Sequence, residues 1–205
     1  MTAPALVDAA VPDRAEGVVL VLHGGAARAD RPAVSPTQLS VLRMRPVATA
    51  VARAGAGRLA VLRLLNSRRG WDERATPVDD VHWALEQVRD RFGSLPVGLV
   101  GHSLGGRAAL LAGATPAVRS VVALNPWLVE SDDADLTGTP TLVVHGDQDR
   151  VAPLARAEVV AARLARRTDL QLVVVPGGGH AMLRHGARFE RLASDFVVST
   201  LLAPT

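Results

Sequence analysis

The 205 residues carry a net charge of +3 and 48% hydrophobic side chains, enough for one domain with a sizeable core. Cysteine, tyrosine and lysine are absent, which excludes disulfides, thiolate nucleophiles, zinc–cysteine sites, a P-loop and Schiff-base chemistry. The isoelectric point of about 11.0 reflects the lack of groups that titrate between histidine and arginine, so it signals no basic patch and no nucleic-acid partner is expected.

In chain order, residues 1–16 read as a lead-in segment without a basic region followed by an apolar stretch, and cytoplasmic residence is the expectation. Apolar runs at 17–22, 58–65, 96–100, 119–125, 140–145 and 170–175 predict strands. Most are continuous rather than alternating, as in parallel strands buried on both faces. Helical patterns fill the gaps. Segment 35–54 opens Ser-Pro-Thr-Gln, a capping-box pattern, and Pro46 must kink or restart that helix. In 77–92, Thr76 is the expected N-cap, Pro77 takes the first helical position, and Val78, Val81, Leu85, Val88 and Phe92 share a face that ends at Gly93. Segments 104–113, 153–167 and 185–202 continue the alternation.

About six strands alternating with helices imply a single α/β domain over 1–205, a three-layer sandwich with a mostly parallel sheet and helices on both faces. No run of about 18 apolar residues is present, so no membrane span is expected. No GxGxxG occurs, and no cofactor or metal is expected.

Ligands of such sheets bind beyond the C-terminal ends of the strands, so the residues that follow each strand are the candidates. They are His23-Gly24-Gly25, the stretch Asn66 to Trp71, Gly101-His102-Ser103-Leu104-Gly105, Pro126-Trp127, "HGDQDRVAP" with Asp147 and Asp149, and "PGGGHAM" with His180. Gly-x-Ser-x-Gly is the nucleophile-elbow pattern, in which a serine hydroxyl stands clear of the sheet at a helix N-terminus. A serine is a weak nucleophile until a base takes its proton, and the base must be held by a carboxylate. Serine, aspartate and histidine follow in that order, each just past a strand.

These motifs, "HGG", "GHSLGG", "HGDQDRVAP" and "GGGH", resemble the α/β-hydrolase fold superfamily from residue 17 to about 200. The resemblance implies Ser103 as nucleophile, Asp149 as acid and His180 as base, with Asp147 a turn residue. It implies an oxyanion hole from the amides of Leu104 and Gly25, with Gly24 and Ala26 as alternative donors. Only residues 1–16 precede the first motif strand, and 126–139 is too short for a lid, so a trimmed, lidless fold is expected. That is similar to dienelactone hydrolases and small carboxylesterases. A cofactor-independent serine hydrolase is the implied activity, cleaving an ester-like acyl bond in a small acyl substrate with water; the alternative is a non-catalytic binding protein on the same fold. Arg68, Arg69, Trp71 and Trp127 are the candidate substrate-lining residues, with an arginine able to read an anionic group. His23, His102 and His145 are expected to be structural.

Overall fold

The computed structural model describes residues 3–25 and 33–202. Its sheet has seven strands: β1 Ala5–Ala10, β2 Gly17–Leu22, β3 Leu59–Leu65, β4 Val97–His102, β5 Val118–Leu124, β6 Thr141–Gly146 and β7 Leu170–Val175. The order is β1-β3-β2-β4-β5-β6-β7. Strands β2 to β7 run parallel, and β1 pairs antiparallel with β3 at the edge. The helices are α1 Leu39–Leu42, α2 Met44–Ala54, α3 Thr76–Phe92, α4 Leu104–Ala112, α5 Leu154–Leu164 and α6 Gly186–Leu201.

Two cores sandwich the sheet, and the period-2 alternation of the strands divides the side chains between them. Val18, Leu20 and Leu22 of β2 face one cluster with residues of α3, α4 and α5. Val19 and Val21 face the other, with Met44, Val47 and Val51 of α2 and Phe189, Ala193 and Val197 of α6. This is the expected three-layer α/β sandwich.

Three local expectations change, and a fourth, the restart of the helix near Pro46, takes a specific form. The sheet has seven strands rather than about six, because Ala5–Ala10, placed in the lead-in segment, forms an edge strand that is half-exposed along its length. No capping box forms at Ser35: its hydroxyl meets Thr37 at 2.9 Å, and α1 begins only at Leu39 after Gln38. The chain restarts as α2 at Met44, which leaves Pro46 in a first turn, where its missing amide costs nothing. Thr76 is not an N-cap but the first residue of α3; Asp72 accepts from its amide at 2.8 Å and from its hydroxyl at 2.6 Å.

Segment 126–139 carries no helix and no strand. Leu128 and Leu136 bury into the core beneath it. Its Asp132 accepts from Arg107 of α4 at 2.7 and 3.0 Å, and from the amide of Val129 at 2.9 Å. The segment is a packed connection, not a cover.

Candidate active site

The C-terminal ends of β2, β4, β6 and β7 converge on one cavity of about 400 Å³, within the range of small-molecule sites. Gly24, Gly25, Arg43, Trp71, Ser103, Leu104, Trp127 and His180 are among its lining residues. A larger hollow of about 960 Å³ lies at the other end of the strands, beside Pro96, Val97 and Ala117, away from the serine motif.

Ser103 links β4 to α4 with φ 57 and ψ −119, a strained backbone for any residue with a Cβ. The strain holds because the turn is crowded on both sides. A Cβ on Gly101 would lie 2.1 Å from the Gly105 carbonyl oxygen, so only glycine lets strand and helix approach this closely. A Cβ on Gly24 would lie 2.9 Å from that of Ser103, so the loop after β2 touches the elbow only as glycine.

Ser103 Oγ lies 3.0 Å from His180 Nε2, and His180 Nδ1 lies 2.8 Å from Asp149 Oδ2. Burial raises the Asp149 pKa, but hydrogen bonds from His180, Ala152 and Val151 outweigh it and hold the carboxyl below its ordinary value. An ionised carboxylate only accepts, so the imidazole proton sits on Nδ1. The bare Nε2 then accepts from the serine hydroxyl. Asp149 Oδ1 takes the amides of Val151 and Ala152, both at 2.8 Å, which fixes the carboxylate plane. Asp147 is exposed and accepts from the Gly177 amide at 2.7 Å, bridging the two turns at the site's edge.

Leu104 is the first residue of α4, so its amide has no acceptor within the helix, and the residue lines the cavity. Gly25 lines the same space from the loop after β2. Ala26 lies outside the described residues.

Trp71 and Trp127 line the cavity, and Arg107 stacks between them, 4.0 Å from the ring centre of Trp71 and 5.6 Å from that of Trp127. Arg68 and Arg69 do not line it. Asp80, buried in α3, accepts from the amide and hydroxyl of Ser67 at 2.9 and 3.1 Å, which ties down the chain just after β3. Arg69 ends near His23, whose pKa its charge helps to lower.

The three other strand-end histidines each have a structural partner. His23 Nδ1 donates to Gly24 O at 2.6 Å, and His145 Nε2 donates to Ala152 O at 2.8 Å. His102 Nε2 donates to His180 O at 2.7 Å. His145 Nε2 is 3.6 Å from Asp149 Oδ2, too far for a hydrogen bond. Among the described residues no cluster of histidines and carboxylates could hold a metal ion, and no helix is long and apolar enough to cross a membrane.

Sequence reasoning missed Arg43, Asn125, Asp80 and Asp132. Asn125 is fully buried at the end of β5 with φ 42. Its side-chain oxygen accepts from the Gly146 amide at 2.8 Å, and its amide nitrogen donates to Gly179 O at 3.1 Å and His180 O at 3.3 Å. It clamps the loop that carries His180 to the sheet. Asparagine tolerates positive φ better than most residues, so the Asn-Pro step after an apolar run was the one available signal.

An α/β serine hydrolase without lid from Xanthomonas campestris superposes with a TM-score of 0.72 at 19% identity, covering 100% of this chain and 98% of that one. A dienelactone hydrolase from Anabaena variabilis gives 0.69 at 22% identity, covering 98% and 99%. Both likenesses show the α/β-hydrolase fold. A bis(hydroxyethyl) terephthalate hydrolase from Streptomyces coelicolor is 38% identical over 84 residues, 40% of this chain and 27% of the relative. The chain spans only 20 to 29% of the length of the first curated relatives it matches. Residues 78–201, from the start of α3 to the end of α6 and including Ser103, Asp149 and His180, match the model of the PET hydrolase-like family, and the chain belongs to that family.

Proposed function

We propose that the chain is a cofactor-independent serine ester hydrolase, one domain that cleaves small acyl esters with water. The observation that carries the reading is the unbroken chain from Ser103 Oγ through His180 to Asp149, at 3.0 and 2.8 Å, opening on a cavity. Ser103 attacks the ester carbonyl as His180 Nε2 takes its proton, and Asp149 stabilises the resulting imidazolium. The amides of Leu104 and Gly25 hold the developing oxyanion. His180 then protonates the departing alcohol. A water deprotonated by the same nitrogen releases the acid and restores Ser103. The ester class follows the family and the named ester-cleaving relative.

A fluorophosphonate probe tests this. One equivalent should add to the intact protein and map to Ser103, with none in Ser103→Ala. The same variant should lose hydrolysis of 4-nitrophenyl acetate. Full labelling of folded Ser103→Ala would overturn the assignment.

A further inference from the structure

Arg43 sits in the turn between α1 and α2 and lines the cavity that holds Ser103, His180, Trp71 and Trp127. It also lines an adjoining groove of about 460 Å³ walled by Leu42, Pro46, Val47 and Met182. The cation therefore stands at the boundary of the two spaces, at the cavity's edge. It is half-buried, and among the described residues its guanidinium has no ion pair and no side-chain hydrogen bond. None of the residues lining the cavity is an aspartate or glutamate.

Burial lowers the Arg43 pKa, yet a guanidinium stays charged at neutral pH. A charge that has lost part of its water without gaining a counter-ion is left under-compensated, and an incoming anion removes that cost. Its charge is felt in the site, where it adds to burial and to His180 in depressing the His102 pKa. Ser40, one turn earlier in α1, lines the same cavity. Its oxygen accepts from Gln38 Nε2 at 2.8 Å, which leaves the hydroxyl proton to donate.

We propose that Arg43, with Ser40 beside it, binds an ionised carboxylate on the substrate, remote from the scissile bond, so that the preferred substrates are esters carrying a second, free acid group. This rests on Ser103 being the nucleophile. Sequence alone pointed to Arg68 and Arg69 for such a role; the cavity is lined instead by Arg43.

Two matched pairs test it: monomethyl adipate against methyl heptanoate for an acid on the acyl side, and carboxymethyl butyrate against propyl butyrate for one on the alcohol side. At low salt, kcat/KM for the acid member of at least one pair should exceed its neutral partner by about tenfold, chiefly through KM. The ratio should fall toward one in Arg43→Gln and in 0.5 M sodium chloride, stay partly in Arg43→Lys, and drop below one in Arg43→Glu. Ratios unmoved by Arg43→Gln and Arg43→Glu, in enzymes that hydrolyse the neutral esters, would overturn the proposal while leaving the serine mechanism standing. Absence of both hydrolysis and Ser103 labelling in the wild type would instead overturn the mechanism. Should the variants fail to fold, inhibition of the wild type decides: adipate should compete at about tenfold lower concentration than adipamide, and equal potency counts against Arg43.

Discussion

His102 Nε2 donates to the main-chain carbonyl of His180 at 2.7 Å, so the residue before Ser103 holds the backbone of His180. His102 is 1% exposed, and burial, then the charge of His180, push its pKa down to about 3. It is therefore neutral, with its one proton on Nε2 and its buried Nδ1 bare. The tie needs no titration to hold at working pH.

Removing it should loosen His180 without touching the reacting atoms. A buried hydrogen bond of this kind is worth about 1–1.5 kcal/mol, so His102→Ala should lower kcat about tenfold with little change in KM. It should also slow fluorophosphonate labelling of Ser103 in proportion. His102→Gln, whose side-chain amide can donate to the same carbonyl, should recover part of the loss. A folded His102→Ala with wild-type kcat would mean that Asn125 alone positions the loop.

Asp149 and Asp147 lie two residues apart but make opposite kinds of contact. Asp149 Oδ2 faces His180, whereas Asp147 faces a turn amide in solvent. Asp149→Asn presents an amide that favours the wrong imidazole tautomer, a change that costs about 10⁴-fold in the trypsin-like case. Asp147→Asn should stay within about threefold of wild type in kcat and lose under about 1 kcal/mol in stability, the range of surface contacts. Steady-state kinetics with denaturant midpoints on both variants separates the two. Equal kinetic losses would reject the division of roles.

The parallel strands were readable because β2 and β4 to β6 are buried on both faces and show as continuous apolar runs such as "GVVLVL". β1 escaped notice because "ALVDAA" is half-exposed at the sheet edge and pairs only with β3. The meeting of Ser103, Asp149 and His180 was readable from glycine-flanked motifs just past strand ends, where chain order carries the pattern. What escaped depends on partners distant in sequence. Asp132 is buried because Arg107, 25 residues earlier, meets it, and Asp80 holds Ser67, 13 residues earlier. Arg43 faces the cavity only because of how the α1–α2 turn packs beside the sheet end, which no local spacing encodes.

Acid should unfold the protein earlier than its carboxylates alone would cause. His23, His102 and His145 are buried with pKa values below the ordinary 6.5, burial being the main cause in each. The unfolded chain protonates them near 6.5 and the folded chain does not, so the unfolded state binds more protons below that pH. Their contribution is full above pH 6.5 and declines as pH falls below it, for His102 down to about pH 3, by up to about 1.4 kcal/mol per pH unit for each histidine. Asp149, held below its ordinary 3.8, adds a loss as pH falls through its folded value. Urea midpoints at pH 7.5, 6.0 and 5.0 should drop progressively; a flat series would mean these histidines protonate without unfolding.

The connection after β5 should behave as a fixed wall rather than a mobile cover. Leu128 and Leu136 are 3% and 1% exposed, and Asp132 is locked to the buried Arg107, which also stacks on Trp71. Opening the segment would expose those leucines and separate a buried ion pair, and breaking such a pair typically costs about 3–5 kcal/mol. With nothing to displace, the rate on a short-chain ester should rise hyperbolically through its solubility limit. Arg107→Met strands Asp132 without a cation and frees both tryptophans. It should lose about 3 kcal/mol in urea unfolding and raise KM for an aryl-acyl ester more than for an acetyl ester, because only the larger group reaches the loosened aromatic wall. A jump in wild-type rate as substrate forms an interface would show that 126–139 does move over the cavity. An Arg107→Met enzyme with unchanged stability would show that the ion pair does not hold it down.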